Sequence, residues 1–160
     1  MMQRLTRSAL SVLALALVLA GCTHQPEGPQ VDAQQVRDDM VEFVSATKTT
    51  AGGTWTALSA RPASSACTTD SGESGVTFSW DQERDGADDP ETLVRNVAAD
   101  WKKRGYEVTL RKSAIDDGRP LWSAVSSGQA VESISVNASA RRVSIEVQSN
   151  CGTGDAADWE

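Results

Sequence analysis

The sequence predicts an α+β domain: an antiparallel sheet of about five strands with two helices packed on one face. Three observations carry this. Apolar residues recur at helical spacing in two stretches, Val36 to Thr47 and Leu93 to Trp101. They alternate with polar residues in one stretch between the helices and in four stretches after the second. The connections between those last stretches are too short for a crossover, so neighbours run antiparallel. The element order is α-β-α-β-β-β-β, in which helices and sheet share one core.

The first helix starts at Asp32, an N-cap with Gln35 three residues on as capping-box partner and with Val31 and Val36 placed as a hydrophobic staple. Val36, Met40, Phe43, Val44 and Thr47 form its inner face, and Arg37, Asp38, Asp39 and Glu42 its outer one. It ends near Thr50, before Gly52-Gly53. Trp55 and Leu58 fit either a short strand or simple packing. The Ser/Thr/Gly-rich segment from Ala60 to Gly75 reads as a loop. From Val76 the period becomes two, with Val76, Phe78 and Trp80 on one face and Thr77 and Ser79 on the other.

After an acidic loop the second helix opens with Asp89 as N-cap and Pro90 at its first position. It runs through Leu93, Val94, Val97, Ala98 and Trp101 and closes at Lys102-Lys103-Arg104-Gly105, with cations at the negative end of the dipole. The remaining strands are centred on Tyr106, Val108 and Leu110; on Leu121 to Val125; on Ile134, Val136 and Ala138; and on Val143, Ile145 and Val147. Asp116-Asp117-Gly118, Ser126-Ser127-Gly128 and Asn137 to Ala140 supply the turns. Trp80 and Trp101 are expected in the core. Trp55 and Trp122 are the candidate binding residues, because neither has a clear buried parity, and Trp122 is opposite in parity to Leu121 and Val125.

Residues 1–21 have the parts of an export signal, with Arg4 and Arg7 before an apolar run from Ala9 to Ala20. That run is too short for a spanning helix, which needs about 20 apolar residues. Leu19-Ala20-Gly21-Cys22 resembles the lipobox of bacterial lipoproteins, which implies cleavage before Cys22 and acyl chains on it, holding the protein on the extracytoplasmic face of the cell membrane. Residues 22–30, with Pro26, Gly28 and Pro29, read as the lipidated tether, 31–152 as a single domain and 153–160 as an acidic C-terminal tail.

Without Arg4 and Arg7, 13 of the 15 basic residues remain against 22 acidic ones, a net charge of −9 for residues 22–160. Such a field argues against nucleic acid as a partner. With lipid on Cys22, Cys67 and Cys151 are left as a pair in an oxidising compartment, where one disulfide is expected between them. Cys151 keeps the parity of Val143, Ile145 and Val147, which aims it at the core face.

The lipobox, a helix, a tryptophan, a cysteine before the first strand, Lys103-Arg104-Gly105-Tyr106-Glu107 closing the second helix, and strands ending at Asn150-Cys151-Gly152 together resemble small actinobacterial lipoproteins of the LppA type. The resemblance implies an envelope-facing surface protein and carries over no catalytic residue.

The only histidine, His24, lies in the tether, so the domain lacks the base for Ser-His or Cys-His nucleophiles and the usual ligand of a catalytic zinc. Ser71-Gly72-Glu73-Ser74-Gly75 lacks the spacing of a nucleophile elbow, and no glycine-rich phosphate loop is present. No enzymatic activity and no cofactor are expected. The reading that remains is a non-catalytic binding or interaction module for an envelope protein or cell-wall component. The alternative is a carrier of a small apolar ligand beneath the sheet. A candidate calcium loop runs from Asp81 to Asp89, where Asp81, Glu83 and Asp85 alternate ahead of Gly86 as in the opening of an EF-hand, with Asp89 as a further ligand. Thr92 then stands where that motif needs a bidentate glutamate, and capping by Asp89 explains the same residues.

Overall fold

The computed structural model describes residues 31–115 and 117–159, so the expected signal, the expected lipidation site Cys22 and the expected tether lie outside the described residues. Helix α1 (Ala33–Ala51) is capped by Asp32, whose Oδ1 accepts from the Gln35 N–H at 2.8 Å. The capping box does not close, because Gln35 Nε2 donates to Asp39 instead. Nor does the staple form: Val31 is exposed while Val36 is buried. The Val31 carbonyl accepts from the Thr153 N–H, so the chain enters the helix along the C-terminal segment.

Helix α2 (Pro90–Lys103) has both of its expected ends. Asp89 caps it through the Thr92 N–H, and Gly105 at φ 90° ends it in the left-handed region where glycine is favoured.

The sheet holds nine strands among the described residues, against about five expected: β1 (Thr56–Ala57), β2 (Ala63–Thr68), β3 (Ser74–Ser79), β4 (Gln82–Asp85), β5 (Val108–Ala114), β6 (Pro120–Gly128), β7 (Val131–Ala138), β8 (Arg142–Ser149) and β9 (Gly152–Thr153). The main path is β1-β4-β8-β7-β6-β5, all antiparallel, with β3 joining β8 and carrying β2 and β9.

Of the four further strands, β1 is the short-strand option left open at Trp55 and Leu58; β2, β4 and β9 were not expected. β1 and β9 have two residues each, too few for a period. β2 is built of Ala, Ser, Cys and Thr and is held by its six-residue register on β3, so no hydrophobic alternation marks it. In β4 the inward positions are Gln82 and Arg84, opposite Ile145 and Val143, and polar residues at inward positions hide the period. The segment 153–160, expected to be a tail, also joins the fold through Thr153. A 3-10 turn at Ala156–Trp159 follows, and Trp159 sets its ring 5.0 Å from Phe78, edge to face.

Both helices pack on the face bearing Ala124, Ile134, Val136, Val143, Ile145 and Val147. The core closes over it with Met40, Phe43, Val44, Val94, Val97 and Trp101. Trp101 is fully buried as expected, and its Nε1 donates to Thr47 Oγ1 at 3.0 Å. Trp80 is only half-buried, because it lies beyond the end of β3 with its Nε1 turned to the Ser59 carbonyl. Phe43 bridges the layers, stacking on Tyr106 at 4.5 Å.

The Cys67–Cys151 disulfide is present, with an S–S distance of 1.99 Å. It ties β2 to the chain just after β8, across a sequence separation of 84 residues.

Candidate interaction surface

Directly opposed residues in an antiparallel ladder share a face. The ladder pairs Trp122 with Ala138 and Ala138 with Val143, so Trp122 belongs to the helix side, at its margin. Leu121, Ser123 and Val125 therefore look the other way. So do Ser135, Asn137, Ser144 and Glu146, and no helix or strand among the described residues packs over this part of β5–β8.

The uncovered face is polar and internally bonded. Ser123 Oγ donates to Asn137 Oδ1 at 2.7 Å, and Asn137 Nδ2 donates to Ser135 Oγ at 3.1 Å and to Glu146 Oε1 at 3.4 Å. Ser144 Oγ donates to the same Glu146 oxygen at 3.4 Å. Where the β5–β6 and β7–β8 turns meet, the face deepens into a groove of about 410 Å³, with Ile115 and Leu121 as its apolar part and Arg119, Arg141 and Arg142 at its rim. Asp117 pairs with Arg119, whose hydrogen bond holds the Asp117 carboxyl below its ordinary value, and Arg142 lies 3.5 Å from Glu83. Arg141 has no carboxylate in ion-pair range among the described residues. These arginines are separated in sequence and become neighbours only through strand register, so no motif announced them.

Of the two candidate tryptophans, Trp122 is half-buried and flanked by cations: Lys112 Nζ at 4.8 Å from its ring centre and the Arg95 guanidinium at 5.8 Å. Trp55 is also half-buried, donates from Nε1 to the Gly52 carbonyl at 2.9 Å, and carries the Arg84 guanidinium 5.6 Å from its ring. Arg84 in turn donates to the carbonyls of Ala51, Asp85 and Gly86. Trp55 thus packs a bonded arginine at the end of α1 and is not part of the open face. The two tryptophans do not form one site.

The calcium arrangement is not formed. Glu83 and Asp85 lie in strand β4, whose extended backbone cannot wrap an ion as a loop does, and Glu83 faces Arg142. Asp89 spends its carboxylate on the Thr92 N–H, which lowers its pKa below 3.8. Asp81 is the only one of the four outside both β4 and the cap, and its carbonyl accepts from the Leu58 N–H beside β1. Among the described residues no group of three or more His, Cys, Asp or Glu side chains is placed to hold a metal ion.

No family model matches the chain, and no curated protein matches it. Among solved structures, the crystal structure of a DUF4853 family protein from Actinomyces odontolyticus is similar at a TM-score of 0.49 and 14% identity, covering 78% of this chain and 67% of that one.

Proposed function

We propose that the chain is an envelope lipoprotein, anchored through lipid on Cys22, whose domain is a non-catalytic interaction module. The observation that carries this reading is the polar face of β5–β8, which no other element among the described residues covers and which ends in an arginine-rimmed groove. A hydrogen-bonded Ser/Asn/Glu surface is prepared for a polar partner, because its side chains are held in place before contact and lose less freedom on binding. The lipobox-like Leu19-Ala20-Gly21-Cys22 supports the anchor, and the disulfide suits an oxidising compartment.

The alternative, an apolar-ligand carrier, finds less support. The space between helices and sheet is filled by fully buried side chains, among them Trp101, Phe78, Met40 and Ile134. Two measurements on protein from its host test the proposal. Radiolabelled palmitate should mark the wild type and vanish with Cys22→Ser, which should also release the protein from the membrane. Native mass spectrometry should return the mass of the acylated chain alone; a retained lipid-sized ligand would favour the carrier, and label surviving Cys22→Ser would remove the anchor.

A further inference from the structure

Among the described residues, strand β5 ends the main path of the sheet and pairs with β6 alone. Its register fixes which backbone groups are unpaired. The Ile115 N–H donates to the Arg119 carbonyl at 2.9 Å, which makes 115 and 119 a hydrogen-bonded pair. Hydrogen-bonded and non-bonded pairs alternate along an antiparallel ladder, so Ser113–Leu121, Arg111–Ser123 and Thr109–Val125 are also bonded pairs. The N–H and C=O groups of Val108, Leu110, Lys112 and Ala114 therefore point away from β6, toward an edge that no strand among the described residues occupies. Pro120 sits opposite Ala114, a non-bonded position where β5 asks no N–H of it.

This edge is seven residues long and carries no proline and no register shift. Leu110 on it is one of the exposed large apolar side chains, and Trp122 is its half-buried neighbour on β6. Its charge is of one sign. Arg111 points to the open face and Lys112 to the helix face, and Val108–Ala114 contains no acidic residue in a chain of net charge −7. Nearby, Arg95 flanks the same Trp122 from α2, Arg119 is neutralised by Asp117, and Glu107 precedes the strand. Two copies paired edge to edge would set these cations against each other, which is how natural sheets block self-association. An acidic strand meets the opposite condition: it completes the ladder and places carboxylates beside Arg111 and Lys112 on the two faces.

We infer that β5 is a docking edge for an extended acidic peptide segment of a partner protein, which adds to the sheet as a further strand. This deepens the interaction-module reading and rests on it. The partner's backbone binds Leu110, Lys112 and Ala114; an apolar residue in it packs on Leu110 beside Trp122.

The test is residue-resolved hydrogen exchange on the full-length protein in detergent. One probe is a blocked nonapeptide of three Glu-Glu-Val repeats, which as a strand presents both Glu and Val on each face; the other is the same peptide with Lys in place of Glu. The acidic peptide at saturation should slow exchange of the Leu110, Lys112 and Ala114 amides by roughly tenfold or more, and leave Thr109, Arg111 and Ser113, already bonded to β6, little changed. Binding should weaken with salt. The Lys peptide should give no such protection, and the double variant Arg111→Glu/Lys112→Glu should exchange the preference. Absence of protection at the three outward amides, protection elsewhere such as β2, or equal protection by both peptides would each overturn the inference. A partner crosslinked to the open face with β5 unprotected leaves the module reading standing without this edge. A protected β5 in a chain that takes no lipid leaves the edge standing without the anchor.

Discussion

Gly75 lies directly across the ladder from Cys67, and a Cβ on it would stand 2.6 Å from Cys151 Sγ and 2.7 Å from the Gly152 carbonyl oxygen. The absence of a side chain at Gly75 is what lets the disulfide cross over β3. We predict that Gly75→Ala strains the bridge, lowers the melting temperature and raises the fraction of chains with reactive thiols under non-reducing denaturation. Replacing Cys67 and Cys151 together by Ser should cost about 4.5 kcal/mol by loop entropy for a separation of 84 residues. A Gly75→Ala protein with the wild-type melting curve and no free thiol would contradict this.

Thr47 stands under Trp101 at the centre of the helix pair, and both are fully buried. Thr47→Val keeps the shape and removes the acceptor for Trp101 Nε1, leaving a buried donor unpaired at a cost of about 1–3 kcal/mol. Urea unfolding should show a lower midpoint with an unchanged slope. An unchanged midpoint would mean that the indole N–H finds another partner.

Gln82 behaves in the opposite sense. Its Oε1 accepts from Lys48 Nζ at 3.1 Å, but its Nε2 is buried without a partner among the described residues. Gln82→Met removes that unpaired donor at similar volume, and half-buried Lys48 retains access to water. We predict a melting temperature equal to or above that of the wild type. A clear loss would show that the Lys48–Gln82 bond outweighs the buried amide.

What the sequence disclosed and what it hid divide along the hydrophobic pattern. The helices were legible because capping by Asp32 and Asp89 and the apolar faces Val36–Thr47 and Leu93–Trp101 all agree, and β7 and β8 because their inward residues alternate cleanly, whereas β6 carries apolar residues on both faces and β5 has Lys112 on its inward face. β2 and β4 were not, since Ser64, Ser65, Gln82 and Arg84 carry no apolar period and are placed by pairing to β3 and β8. Charged alternation in β4 instead resembles the opening of an ion-binding loop. The parity of Trp122 was visible, but only the ladder shows that its side is the helix side. The disulfide partners followed from cysteine arithmetic, whereas the arginine rim required the register of two separate hairpins.

The cap at Asp89 gives a pH dependence whose sign is fixed. Its carboxyl is held below 3.8 chiefly by the Thr92 backbone N–H and then by the Thr92 side chain. A depressed carboxylate contributes stability that is fully present above 3.8 and is lost as pH falls through its lower folded value. Asp89→Ala should therefore lower the melting temperature at neutral pH, with the gap to wild type narrowing as pH drops below 3.8. Melting curves across that range check it; a gap constant with pH would assign the effect to something other than the ionised cap.

The interaction-module account is tested most directly by photo-crosslinking in the native host, with a photoreactive residue placed singly at Ser135 on the open sheet face or at Glu42 on the outer side of α1. The account predicts one discrete crosslinked species in the membrane fraction from Ser135, none from Glu42, and loss of the species when Cys22→Ser removes the protein from the membrane. No discrete product from Ser135, or the same products from both positions, would contradict it.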